Sequence, residues 1–359
     1  MKTLKDTLYT AWIIGTKDIV DALKNKSSRT NIIIMIGMVA FFYWFGSLRP
    51  FDKDVNVIVY DEGETSLSIE KEKLENGVTY SFREATSLQE METKMANQNL
   101  GLVLPPDLNQ TLASDETTTL SGYIFWVDRM KVTDLEAKYS LAFSEILGQP
   151  VQVDIGKNII IPQANADGMQ TTVASQMIYF VFTIALLMIP HLMVEEKQTK
   201  TLDALLTSPA SPGEVVLGKA LAGFFYILLT GGLALAMYSM YIVNWFLALS
   251  AFLGYALLAI GLGLAVGSFV NSMKQAGIWM VALILILVIP PLFYMESNLK
   301  SGIQIFLSWF PSSALASLFR FSLTTGVTPG QVWPNLAIAV ASIAVVFGLV
   351  IWKVRRSDR

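Results

Sequence analysis

The sequence predicts an α-helical polytopic membrane protein with six transmembrane helices and an α/β domain inserted after the first. Three observations predict it. Hydrophobic residues make up 53% of the chain and charged residues only 15%, with a mean hydropathy of +0.49. That is too apolar for a water-soluble domain of 359 residues. Uncharged apolar runs recur through the second half at about 20 residues each, the length that crosses a bilayer. Residues 49–172 break this pattern with polar, turn-punctuated strand and helix signals.

Charge sets the expected orientation. Arg49–Thr172 holds 10 Lys+Arg against 20 Asp+Glu. The stretches 1–31, 194–219, 271–276 and 353–359 together hold 14 basic and 8 acidic residues. Cytoplasmic loops of membrane proteins carry the excess of Lys and Arg. Both termini are therefore expected inside, which requires an even number of spans, with 49–172 on the outer side.

Residues 1–30 read as an amphipathic helix in the membrane interface. Trp12, Ile13, Thr16, Ile19, Val20 and Leu23 share one face, and Lys17, Asp18, Asp21 and Lys24 fall largely elsewhere. A solvated helix packed on the protein is the alternative. Residues 31–48 form the first span, aromatic-rich at Phe41–Phe45. Its apolar stretch is too long for a cleavable signal peptide.

Within 49–172, strands are expected at Val55–Tyr60, Leu100–Leu104 and Tyr123–Val127. Helices are expected at Ser66–Asn76, Ser87–Ala96 and Thr133–Leu147. Alternation of the two types gives a small α/β domain. Its acidic surface suits either cationic cargo or plain solvation. The second span is 173–194, the third 220–243, the fourth 245–270 and the fifth 277–295. Glycines on the third and fourth spans mark faces that pack closely on other helices. Residues 296–330 are apolar but broken by Pro311. A seventh span there would put the basic tail outside, so an outer re-entrant or interfacial pair of helices is expected. The last span is 335–352 and the basic cytoplasmic tail 353–359.

The loop 195–219 is the stretch least like an idle connector. Glu195, Glu196 and Lys197 stand at the membrane exit. Leu202, Leu205 and Leu206 recur at helical spacing behind Thr199 and Thr201 as N-cap candidates. Ser208-Pro209 and Ser211-Pro212 end that short helix, and a new helix can start at Pro212. A helix across the mouth of two spans is suited to being pushed by a soluble partner. It can also simply tie the two spans together.

The chemistry of the chain excludes several classes. There is no Cys and one His, which removes disulfides, thiolate metal sites and Cys nucleophiles. His191 sits at a membrane edge, away from the acidic domain. No HExxH, GxSxG or Gly-rich Lys-Ser/Thr phosphate loop occurs. Apart from His191 at the end of the second, the predicted spans carry no ionisable residue of the kind ion and proton relays use. Any transport by this chain therefore needs a motor on another polypeptide. A membrane receptor or scaffold displaying an outer domain is the rival from a different class.

The loop resembles the one after the second span in permeases of the ABC-2 type ABC transporter family. The matching residues are Glu195-Glu196, Thr201-Leu202-Asp203, Leu205-Leu206, Ser208-Pro209 and Gly218-Lys219. Lys200 departs from the family, which has Gly before the Thr. The family's interfacial helix with a Lys-acid pair is resembled by the Trp12-bearing helix with Lys17-Asp18. Its outer domain is resembled at Asp61, Gly101, Leu104, Pro105, Pro106 and Asp107, and its outer element with Pro and Arg at Pro311 and Arg320. The resemblance implies an exporter permease in the cytoplasmic membrane of a prokaryote. It implies two ABC ATPase subunits that bind ATP and Mg, a second permease as homodimer or related partner, and contact with membrane lipid but not nucleic acid. The permease itself would hold no cofactor. Glu195, Glu196 and Lys197 would position a coupling helix. Leu202, Leu205 and Leu206 would dock on the ATPase, and Gly218-Lys219 would mark re-entry into the membrane. A lipid, a hydrophobic drug or an ion would be the cargo.

Overall fold

In the computed structural model, residues 3–24, 26–47, 54–63, 72–75, 78–95, 98–113, 117–164, 169–199, 210–294 and 301–357 are described. The chain forms two compact units, residues 45–163 and residues 1–44 with 164–359.

Helix α1 (Leu4–Lys24) opens the chain and α2 (Lys26–Ser47) follows. On α1 the buried face is Ala11, Ile14, Gly15 and Asp18, spaced i, i+3, i+4, i+7. The apolar residues Leu8, Trp12, Ile13, Val20 and Leu23 are exposed. Helix α2 carries the short apolar stretch Ile32–Phe41.

Residues 45–163 build one sheet. Its strands are β1 (Asp54–Asp61), β2 (Glu72–Glu75), β3 (Val78–Ala85), β4 (Leu100–Leu104), β5 (Thr118–Phe125), β6 (Val151–Asp154) and β7 (Ile159–Ile160). Its helices are α3 (Leu88–Lys94), α4 (Leu108–Ala113) and α5 (Val132–Leu147). The order is β2-β3-β1-β4-β5-β6, with β7 on β5. Strand β1 lies in the middle, parallel to both β3 and β4. It is buried through Val55, Val57, Ile58 and Val59, an apolar run broken only by half-buried Asn56, as suits a strand covered on both faces. Phe143 of α5 meets Phe82 and Tyr80 edge-on at 6.1 and 6.2 Å, which seats α5 on the core.

Two expectations for this unit change. Glu72–Glu75 is a strand rather than part of a helix over Ser66–Asn76, because it pairs antiparallel with β3. Residues 64–71 lie outside the described set. The strand expected at Tyr123–Val127 ends two residues earlier and begins at Thr118, where β6 and β4 hold it. Trp126 then enters a 3-10 turn, Trp126–Lys131, and is wholly buried.

The helical unit continues with α6 (Met169–Met188), α7 (His191–Gln198), α8 (Pro212–Met237), α9 (Trp245–Phe269), α10 (Met273–Tyr294), α11 (Ser301–Ser308), α12 (Pro311–Ser322) and α13 (Pro329–Ser357). Helix α9 is its hub and packs on α6, α7, α8, α12 and α13. Small residues allow this. A Cβ added at Gly263 would stand 2.8 Å from the Ile189 Cβ, and one at Gly267 2.8 Å from the Met193 Cβ and the Pro190 carbonyl. Close backbone approach of this kind is how helices associate in lipid.

Among the described residues five helices are long and apolar enough to cross a membrane, 169–198 counting as one. There are six if α11 and α12 form one broken span. Those two meet at 95°, with Pro311 as the first residue of α12.

The borders of the polar loop expected over 195–219 are helical, and the helix expected to start at Pro212 starts there. Residues 195–198 belong to α7 and 212–219 to α8, leaving 199–211 between them. Thr199 closes α7 as its C-cap, and Thr201 lies outside the described residues. The helices therefore run past the apolar stretches, and Glu196, Lys197, Glu214 and Lys219 lie within them. Glu196 and Lys219 pair with each other, Lys197 is bonded to backbone carbonyls and Glu214 to the Ser211 N–H, so these charges are satisfied within the protein. The last span also begins earlier than 335, at Pro329, and takes Pro334 into its first turns.

Candidate functional site

Helices α7 and α8 bracket the 199–211 segment, and each is terminated by specific chemistry. Ser211 caps α8: its Oγ accepts the Glu214 N–H at 3.3 Å while Glu214 Oε2 accepts the Ser211 N–H at 2.7 Å. This reciprocal box satisfies two of the N–H groups a helix start leaves free. Pro212 occupies the first helical position. At the other border, the Thr199 Oγ1 donates to the Glu195 carbonyl at 2.9 Å.

Lys219 lies two turns into α8 and has no exposed surface. Its Nζ is 2.6 Å from Glu196 Oε2 on α7 and 3.3 Å from Asp18 Oδ2 on α1. It also donates to the Leu192 carbonyl at 2.6 Å. Lys17 lies 3.8 Å from the other Glu196 oxygen and is half-exposed. Two ammonium groups thus face two carboxylates. A charge buried in this way persists only when paired and hydrogen-bonded. Burial pushes the Asp18 carboxyl above its ordinary value; the Lys219 ammonium opposes that shift and Glu196 adds to it.

The close approach of α1 to α8 makes the pairing possible. A Cβ at Gly218 would come within 2.7 Å of the Ile14 Cβ and 2.8 Å of the Ala11 carbonyl. One at Gly15 would reach 2.8 Å from the Gly218 carbonyl. The two backbones nearly touch there, which lets the short Asp18 side chain reach Lys219. Tyr226, two turns beyond Lys219 on the same face of α8, directs its hydroxyl to the Asp18 carbonyl at 3.4 Å.

The structure therefore brings Lys17, Asp18, Glu196, Gly218 and Lys219 together. Lys17 and Asp18 do not act as a pair with each other. Adjacent helical residues point about 100° apart, so Lys17 reaches α7 and Asp18 reaches α8. Lys197 turns away from the cluster and donates to the Ser268 and Val270 carbonyls. Glu195 and Trp12 are exposed. Thr201, Leu202, Asp203, Leu205, Leu206, Ser208 and Pro209 lie outside the described residues. Pro311 and Arg320 belong to α12, where the Arg320 guanidinium sits 5.6 Å over the Phe321 ring, and they do not join the cluster.

Sequence reasoning missed Gly15, Leu192, Tyr226, Ser268 and Val270. The seven-residue spacing from Lys219 marks Tyr226 as its helical neighbour. The backbone carbonyls carry no sequence signal.

No curated protein matches the chain. A family model described as ABC-2 family transporter protein matches residues 26–352, most of the sequence. The chain thus belongs to the ABC-2 family: it is a multi-pass membrane protein, the permease of an ABC transporter, and a transport subunit rather than itself a catalytic enzyme.

Proposed function

We propose that this permease is the membrane-spanning subunit of an ATP-driven exporter and that the 199–211 segment takes the push of a separate ATPase. One observation carries this reading. Lys219 ties α8 to α7 through Glu196 and to α1 through Asp18. The two helices that border the segment are thereby linked to each other and to the N-terminal helix. A displacement of the segment would move all three together, and rigid-body movement of packed elements is how access alternates.

Leu202, Leu205 and Leu206 supply an apolar face at helical spacing for docking. The sequence carries no phosphate-binding loop, so ATP and Mg belong to the ATPase. Two ATPases and two permeases form the complex. Each permease contributes six spans: α2, the 169–198 run, α8, α9, α10 and α13. The bent α11–α12 pair serves as an outer re-entrant element. Both termini face the cytoplasm, residues 49–172 lie outside, and the complex sits in a prokaryotic cytoplasmic membrane. Helix α1 lies in the interface, its exposed Leu8, Trp12, Ile13 and Val20 toward lipid. The apolar, glycine-lined spans suit a lipid or a hydrophobic drug, and the acidic outer unit suits an ion.

The test is Leu205→Asp with Leu206→Asp in a complex reconstituted with the ABC ATPase that co-purifies with the permease. Permease-stimulated ATP hydrolysis and transport are expected to be lost while the permease elutes and melts like the parent. Unchanged transport in that variant refutes the docking role.

A further inference from the structure

We infer that Lys197 is a positioning residue that carries movement of the 199–211 segment into α9, on a route separate from the ion cluster. This rests on the reading that the segment receives force.

Glu196 and Lys197 are neighbours on α7 and reach opposite ways. Glu196 faces Lys219 and Lys17. Lys197 Nζ donates to the Ser268 carbonyl and, at 3.0 Å, to the Val270 carbonyl. Those carbonyls belong to the last turn and C-cap of α9. The end of a helix leaves its final carbonyls without intrahelical partners and carries partial negative charge. One ammonium group satisfies two of them and opposes that charge. The hydrogen bonds are reinforced by packing one turn away. Gly267 of α9 lies so close to α7 that an added Cβ would be 2.8 Å from the Met193 Cβ, and Met193 precedes Lys197 by one helical turn. Lys353 of α13 reaches the same helix end, its Nζ 5.4 Å over the Phe269 ring.

A single turn of α7 is therefore a crosspiece. One side holds α1 and α8 through Glu196. The other holds the end of α9 through Lys197. Beyond Val270 the chain turns through Asn271 and Ser272 straight into α10. A shift of α7 pulls this turn, and with it the hub helix α9 and its neighbour α10. Lys197 acts through its contacts with the end of α9.

The test uses the reconstituted permease–ATPase complex and compares Lys197→Met, Lys197→Gln and Lys197→Arg with the Leu205→Asp, Leu206→Asp variant. Two quantities are read: cargo transported per ATP hydrolysed, and the change in amide hydrogen exchange of residues 266–273 when ATP is added. Lys197→Met keeps the aliphatic stem and removes every donor. It is expected to lower transport per ATP by about tenfold, within the range that coupling residues command, and to abolish the nucleotide-dependent change in exchange. Lys197→Arg, which keeps charge and donors, is expected to recover most of both. If Lys197→Met does not fold, Lys197→Gln, which removes the charge and sets its N–H donors one bond short of the two carbonyls, carries the same expectation. Wild-type values in Lys197→Met or Lys197→Gln, alongside uncoupling in the leucine variant, overturn the role of Lys197 alone. Loss that Lys197→Arg fails to restore overturns it too, since charge and donors are then not what matters. If the leucine variant also remains coupled, the segment is not the seat of force and both readings fall.

Discussion

Replacing Lys219 by Met is the sharpest probe of the buried cluster. Methionine fits the volume of the lysine stem, so packing is largely kept and the charge is removed. Glu196 and Asp18 then lose the ammonium that stands 2.6 and 3.3 Å from their oxygens. Their side chains are only 10% and 7% exposed, so water does not replace it, and half-exposed Lys17 stands 3.8 Å from Glu196 and is a minor influence on Asp18. Removing one partner of a buried ion pair costs about 3–5 kcal/mol, because an uncompensated charge remains. At about 1.4 kcal/mol per decade, that is two to nearly four decades in the folded-to-unfolded ratio. Neutralising all three charges is a different matter. Buried ion groups replaced together by well-packed hydrophobic residues of similar volume are often near neutral. The triple variant Asp18→Leu, Glu196→Met, Lys219→Met is therefore expected to regain most of the lost stability. Denaturant unfolding of the permease in mixed micelles reads both. The reasoning is refuted if Lys219→Met lies within about 1 kcal/mol of the parent, the scale of an ordinary substitution. It is refuted equally if the triple variant is no more stable than the single one.

Gly218→Val drives a branched side chain into Ile14 and the Ala11 carbonyl and is expected to cost about 1–3 kcal/mol, the range for overpacking; limited proteolysis should show α1 released from α8. Asp18→Asn is expected to be milder than Lys219→Met. Burial raises the Asp18 carboxyl in the fold, so the folded state holds that proton more tightly than the unfolded chain. Its stabilising contribution is complete below the ordinary carboxylate range and is lost as pH rises through the raised value; the parent should therefore gain on Asp18→Asn as pH falls, measured by melting across that range. Ser211→Ala removes one half of the capping box and is expected to destabilise the start of α8 by about 1 kcal/mol, seen as faster amide exchange at residues 213–215.

Periodicity and punctuation made several elements legible. Strand β4 is a continuous apolar run, and strand β1 is one broken only by Asn56. Pro212 marks a helix start and Pro311 the break between α11 and α12. Other features depend on partners far away in sequence. Asp18 and Lys219 are 201 residues apart, so nothing local shows that the charges near the 199–211 segment are paired and helical. The stretch Glu72–Glu75 has a composition that favours a polar helix, but a backbone partner in β3 decides its state. On α1 the apolar stripe is the obvious face, and it is the exposed one. The protein-facing strip is defined by small size at Ala11 and Gly15 and by the single carboxylate of Asp18, which hydrophobicity does not reveal.

The central claim is that a separate ATPase seats on the 199–211 segment. A chain without cysteine accepts a single introduced thiol with no background, so a photoactivatable cross-linker attached at Leu205→Cys tests it most directly. In membranes that hold the complex, the expected adduct joins the permease to the ATPase and disappears when the ATPase is omitted. Reaction of that thiol with an impermeant reagent added from outside intact cells, or a cross-link that never includes the ATPase, would contradict it.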